Sequence, residues 1–109
     1  MTDFEVPSPV QAMVDAINAG DYDAFVEAFA ADGLVDDWGR VLSGPDGVRS
    51  WAETDAIGQN ARMAILSATT EGDTTSMRFG WRSDRFNGES DAVVQVRDGK
   101  VASFRIPPH

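Results

Sequence analysis

The hydrophobic period changes once along this chain, near Gly58, and that switch restricts the fold more than any single motif does. Before Gly58 the apolar residues return every three or four positions, the spacing of one helix face. After it they alternate, the spacing of a strand with one side buried. A helical half followed by a strand-rich half is an α+β arrangement.

In the first half, Ser8-Pro9-Val10-Gln11 reads as a helix start, with Ser8 as N-cap, Pro9 at the first helical position and Gln11 completing a capping box. Val10, Met13, Val14 and Ile17 form one stripe, and Gly20 supplies the stop. Asp21 caps a second helix whose stripe is Tyr22, Phe25, Val26 and Phe29, with a break at Asp32-Gly33. A short strand pair, its first strand over Gly33 to Trp38, separates it from a third helix, which opens at Ser43-Gly44-Pro45 and runs through Val48, Trp51 and Ala52 toward Ile57-Gly58.

In the second half, Met63, Ile65 and Ser67 oppose Ala64, Leu66 and Ala68 on one strand. Met77, Phe79 and Trp81 oppose Ser76, Arg78 and Arg82 on the next. Turns are expected at Glu71-Gly72-Asp73, at Asn87-Gly88 and, as a two-residue hairpin, at Asp98-Gly99. Ala102, Phe104 and Ile106 of the last strand would face the helices, and Ser103 and Arg105 would face outward with Gln95 and Arg97. The strands then pair as a meander.

With 109 residues and 42% apolar content the chain suits one domain over 1–109, with Pro107-Pro108-His109 as a frayed tail. It contains no cysteine, and its start, Met1-Thr2-Asp3-Phe4-Glu5, lacks the charged and apolar regions of a secretory signal, so a cytoplasmic location is expected. A net charge of −9 would repel phosphate backbones and anionic lipid, which argues against nucleic acid and membrane as partners. Metal and cofactor sites are not expected either: the one histidine is His109 in the tail, the acidic residues are scattered, and no glycine-rich phosphate loop is present.

Asp37 is the residue with the clearest chemical potential. Along the Gly33 to Trp38 strand, Val35 and Asp37 point one way and Leu34, Asp36 and Trp38 the other. A carboxylate sharing a face with apolar neighbours either finds a partner or has its pKa raised, and a raised Asp is suited to general-base work. A register slip of one residue would put Asp36 on that face instead.

The order of elements, with Ala19-Gly20-Asp21-Tyr22, Phe29-Ala30-Ala31-Asp32-Gly33, Gly44-Pro45-Asp46-Gly47-Val48-Arg49-Ser50-Trp51 and Asp98-Gly99-Lys100-Val101 at their places in it, resembles the nuclear-transport-factor-2-like superfamily (NTF2-like, cystatin-like) in its SnoaL-like, polyketide-cyclase-like branch. The resemblance covers nearly the whole chain. It implies three helices packed into a strongly curved, mixed, mostly antiparallel sheet that forms a cone-shaped cavity, and a homodimer through the outer sheet face. Carried onto this sequence, the cavity lining would be Met13, Ile17, Val35, Asp37, Trp51, Phe79, Trp81, Val94 and Phe104, and the ligand a small apolar or amphipathic molecule. The superfamily hosts isomerases, cyclases, hydrolases, dehydratases and binding modules, so the resemblance does not choose among them.

Asp37 lies where the related ketosteroid isomerases carry the Asp that moves a proton alpha to a ketone. The positions of their oxyanion donors correspond to Met13 and about Ala92, which have no side-chain donor. Arg82-Ser83-Asp84 has the Arg-x-Asp spacing of limonene-epoxide hydrolases, without their second Asp. A cofactor-free isomerase or cyclase using Asp37 as base, a non-catalytic binding or dimerisation module, and an epoxide-hydrolase-like enzyme therefore all remain open.

Overall fold

The computed structural model describes residues 5–108; His109 and the first four residues of the chain lie outside them. Three helices, α1 (Ser8–Ala19), α2 (Tyr22–Glu27) and α3 (Gly44–Asp55), pack on a six-stranded mixed sheet. Its strands are β1 (Phe29–Asp37), β2 (Arg40–Ser43), β3 (Arg62–Glu71), β4 (Thr74–Arg82), β5 (Asn87–Arg97) and β6 (Lys100–Ile106). They lie in the order β2-β1-β6-β5-β4-β3, and the β1–β6 pair alone is parallel. The meander therefore holds for β3 through β6, and β1 returns to β6 to extend the sheet.

The stripe Val10, Met13, Val14 and Ile17 is buried as expected, and Gly20 closes α1 in the left-handed region at φ 69°. The capping box does not form. Pro7 is the N-cap, Ser8 is the first helical residue, and the Gln11 amide turns along the helix to donate to Asp15 Oδ1 at 2.8 Å. Asp21 does cap α2, accepting from Ala24 N at 3.0 Å. That helix ends at Glu27, earlier than its apolar stripe suggests. Phe29 is instead the first residue of β1, opposite Val101, because parallel pairing offers its backbone the partners that another helical turn would have supplied. Gly33 sits at the irregularity in this pairing. A Cβ there would come within 2.8 Å of the Val101 carbonyl oxygen, so close backbone approach, rather than helix termination, is its role.

Three further corrections concern side-chain direction. In β3 an extra residue, Leu66, lies between the pairs Ile65–Phe79 and Ser67–Arg78, so beyond it Ala68 takes the inward side expected of Ser67. In β6 the register shifts between the pairs Gln95–Ser103 and Val96–Val101, which buries Val101 in place of Ala102. Ser103 stays opposite Gln95 yet is only 4% exposed, and its hydroxyl bonds Gln95 Oε1 at 3.3 Å. The turn expected at Asn87-Gly88 falls earlier, over 83–86. There Ser83 Oγ accepts from the backbone N–H groups of Arg85 and Phe86, and Asn87 already pairs with Arg82 as the first residue of β5. The hairpin at Asp98-Gly99 is present as read, with φ of 54° and 77°, the two positive values a type I′ turn requires.

The core lies between the helices and one face of the sheet. Trp51 of α3 sits at its centre, 1% exposed, with ring centroids 5.7 Å from Phe104 and 5.8 Å from Phe25. The outermost strand β3 presents an open edge, and α1 covers part of it. Asn18 donates to the Met63 carbonyl at 2.8 Å and accepts from the Met63 N–H at 2.7 Å, so its amide pairs with the edge as a neighbouring strand would. No helix among the described residues is long and apolar enough to cross a membrane.

Candidate functional site

Asp37, Trp38, Arg40, Asp55, Trp81, Ser90 and Ile106 all lie at or near the ends of their elements, and the topology brings those ends together at one end of the sheet. They border an open pocket of about 590 Å³, completed by Trp51, Phe79 and the segment from Arg85 to Glu89. Of the expected lining, Asp37, Trp51, Phe79 and Trp81 border it. Met13, Ile17, Val35, Val94 and Phe104 do not: each is at most 1% exposed and belongs to the core beneath. The helices sink closely enough onto the sheet that these residues are packed away beneath the pocket floor.

Val35 is fully buried, and Asp37, two residues on, shares its side of the strand at the pocket wall. Asp36 faces the other way, accepting from Arg105 Nη1 at 2.8 Å and from Gly39 N at 2.9 Å. The Asp37 carboxylate accepts a hydrogen bond from Trp51 Nε1 at Oδ2, 3.1 Å. Its other oxygen, Oδ1, has no hydrogen-bond partner among the described residues.

Across the β1–β2 pair, Asp37 stands opposite Arg40. Arg40 Nη2 donates to Asp55 Oδ1 at 2.8 Å, joining β2 to the last turn of α3. The Asp55 hydrogen bond raises the guanidinium pKa above its ordinary value; partial burial opposes the rise, and the charges of Asp55 and Asp37 add to it. The inner wall thus carries two carboxylates and one guanidinium.

Trp38 is the main surprise in direction. Strand alternation puts it on the outer side with Leu34 and Asp36, but it leaves β1 at φ 57° and, with Gly39 at φ 91°, forms the β1–β2 turn. Its N–H donates to the Ile106 carbonyl at 2.9 Å, and its side chain, 53% exposed, joins the pocket rim. The Asp36 bond to Gly39 N stabilises this turn. Sequence reading also missed Arg40, Asp55, Arg85, Phe86 and Ser90. Gly39 after Trp38 was the available signal for Arg40, since a two-residue turn there sets it opposite Asp37; Asp55 had none. Ser90 pairs with Phe79, shares its face of the sheet, and makes no side-chain hydrogen bond among the described residues.

Arg82 and Asp84 are not brought to the pocket. Asp84 Oδ2 accepts from Asn60 Nδ2 at 2.7 Å and its N–H donates to the Gln59 carbonyl at 2.9 Å, so it fastens the exit of α3 to the end of β4. No group of His, Cys, Asp and Glu among the described residues has metal-binding geometry.

The model of the SnoaL-like domain matches residues 10–104. A candidate polyketide cyclase from Sinorhizobium meliloti is 26% identical and superposes with a TM-score of 0.82 over 94% of this chain and 99% of its own. The Delta 5-3-ketosteroid isomerase of a Mycobacterium species is 14% identical, with a TM-score of 0.81 over 94% of this chain and 91% of that one. A computationally designed 17-OHP binder has the same fold at 15% identity, with a TM-score of 0.79 over 93% and 90%. No curated protein matches the sequence. The match to the domain model over nearly the whole chain, with a fold that superposes on a cyclase, an isomerase and a designed binder, makes this protein a member of the SnoaL-like domain family with the NTF2-like fold.

Proposed function

We propose that the open end of the sheet binds a small apolar or amphipathic molecule, with Asp37 as its principal polar contact. The observation that carries the reading is the Trp51–Asp37 hydrogen bond at a pocket wall whose surface is otherwise largely apolar, with five aromatic residues in it. Trp51 holds one carboxylate oxygen in place, and the other is left to accept a hydrogen bond or a proton from a ligand. The test is titration with small apolar ketones and phenols, followed through the indole N–H resonances in wild type and Asp37→Asn. Displacement of the Trp51 signal, weakened in the variant, supports the reading; indole signals that stay still across the panel would overturn it.

A second reading, cofactor-free proton transfer of isomerase or cyclase type, is favoured by Ser90. Asp37 and Ser90 border the same pocket from β1 and β5, so a substrate carbonyl oxygen at the Ser90 hydroxyl would have the donor that neither Met13 nor Ala92 provides. Hydrogen–deuterium exchange alpha to the carbonyl of a bound ketone, accelerated by wild type and lost in Asp37→Asn, is its signature. The placement of Arg82 and Asp84 gives hydrolase chemistry no comparable support.

The same proposal includes a homodimer through the outer sheet face. That face presents the half-buried Leu34 and Val93 and the exposed Val41 among the ion pairs of Arg105 with Asp36 and of Arg78 with Glu89 and Asp91. It also includes a cytoplasmic location, in keeping with a cysteine-free chain.

A further inference from the structure

We infer that the ligand of this pocket is a cation, an apolar molecule bearing a tertiary or quaternary ammonium group seated between the tryptophans and Asp37. The inference rests on the reading of the pocket as a small-molecule site and adds the chemical class of its occupant.

The first support is the distribution of aromatic residues. The chain has three tryptophans, and Trp38, Trp51 and Trp81 all border this one pocket. The indole face is the strongest of the side-chain π-systems for a cation, because its quadrupole places negative potential over the ring. Trp51, at 1% exposed, also packs the core, while Trp38, 53% exposed, is carried to the rim on a two-residue turn.

The second support is the balance of charge on the inner wall. Arg40 is bonded to Asp55 at 2.8 Å, whereas Asp37 receives only the neutral indole N–H of Trp51 at 3.1 Å. On the inner wall one carboxylate is left without an ion-pair partner beside a largely apolar surface, and a low-polarity setting strengthens its attraction for an entering cation. Glu89 also borders the pocket, but its carboxylate is engaged by Arg78 at 3.0 Å. Arg85, the other rim cation, lies over the Phe86 ring with its guanidinium carbon 5.5 Å from the centroid.

The third support is long-range. A net charge of −9 draws cations toward the molecule and repels anions, an effect that salt screens.

The test compares two probes of the same shape, (4-hydroxyphenyl)trimethylammonium and 4-tert-butylphenol, at mildly acidic pH where both keep the phenolic proton. Binding is followed by tryptophan emission and indole N–H shifts on the full chain. The ammonium probe is expected to bind about tenfold more tightly, equivalent to about 1.4 kcal/mol. Asp37→Asn, which keeps an acceptor for Trp51, should abolish that preference by weakening the ammonium probe more than 4-tert-butylphenol. Trp38→Leu, at an exposed turn, should reduce the preference, and covers the case in which Asp37→Asn is poorly folded. Equal or tighter binding of 4-tert-butylphenol would overturn the cation while leaving the pocket reading intact. Failure of both probes to bind would overturn the two together.

Discussion

Asp37 and Trp51 depend on each other. The indole must be buried to complete the aromatic core, and burying its N–H without an acceptor would cost about 1–3 kcal/mol, so a carboxylate at the end of β1 solves a packing problem as well as offering chemistry. Trp51→Phe should therefore be destabilised by about 1–3 kcal/mol through lost volume and lost hydrogen bonding, read as a lower midpoint in urea at unchanged slope. The same variant frees Asp37 of its tether, so ligand affinity should fall along with stability. At Asp37→Asn the stability change is expected to be smaller than at Trp51→Phe, since the amide oxygen can still accept from the indole. A larger loss would mean that Asp37 is chiefly structural. Asp37 was legible in the sequence because strand alternation pairs it with Val35, which the structure buries completely. Trp51 was legible as an apolar position on α3, but its bond to Asp37 was not, since no local pattern reports a contact across 14 residues.

At the scale of elements, two small devices fasten neighbouring segments to one another. Gly58, in the short 3₁₀ turn Ile57–Gln59 after α3, lies so close to the helix that a Cβ would come within 1.7 Å of the Glu53 carbonyl oxygen. Gly58→Ala must push the turn away from α3, and a loss of about 1–3 kcal/mol is expected in thermal or denaturant unfolding. The Asn18 amide occupies both backbone groups of Met63 on the β3 edge. Asn18→Ala should cost about 1–3 kcal/mol and raise amide exchange at Met63, because a part-buried donor and acceptor lose their partners together. Both contacts lie between segments whose individual signals were clear. The apolar stripes of α1 and α3 and the Asp98-Gly99 hairpin could be read directly, because each depends on residues within a few positions of one another. The end of α2, the inserted Leu66 and the turn over 83–86 could not. Each is decided by pairing with a distant strand or by a serine hydroxyl that the flanking alternation does not reveal.

Over the whole molecule, the outer face of the sheet is the surface of the proposed homodimer, and the excess of acidic residues sets the field. Val93 stands on that face between Ser76 and Arg105, and a proposed homodimer should sediment at about twice 11.8 kDa, with Val93→Glu returning it to a single chain of unchanged fold. A wild type that sediments as a monomer would remove the dimer from the proposal. The net charge of −9 makes the ammonium probe's affinity fall as salt rises from low to physiological ionic strength, while that of its neutral counterpart stays nearly level. The sequence by itself determined the order of helices and strands, the buried stripes, the family likeness and the side of β1 on which Asp37 stands, because all of these follow from local periodicity and short capping or turn signals. The tertiary structure alone decided that Met13, Ile17, Val35, Val94 and Phe104 fill the core, that Trp38 turns to the rim, and that Arg40, Asp55 and Ser90 meet Asp37 around one opening. A pocket is the space left when distant elements pack against one another, and its walls are set by the depth of that packing and the register of the strands rather than by the sequence of any one segment.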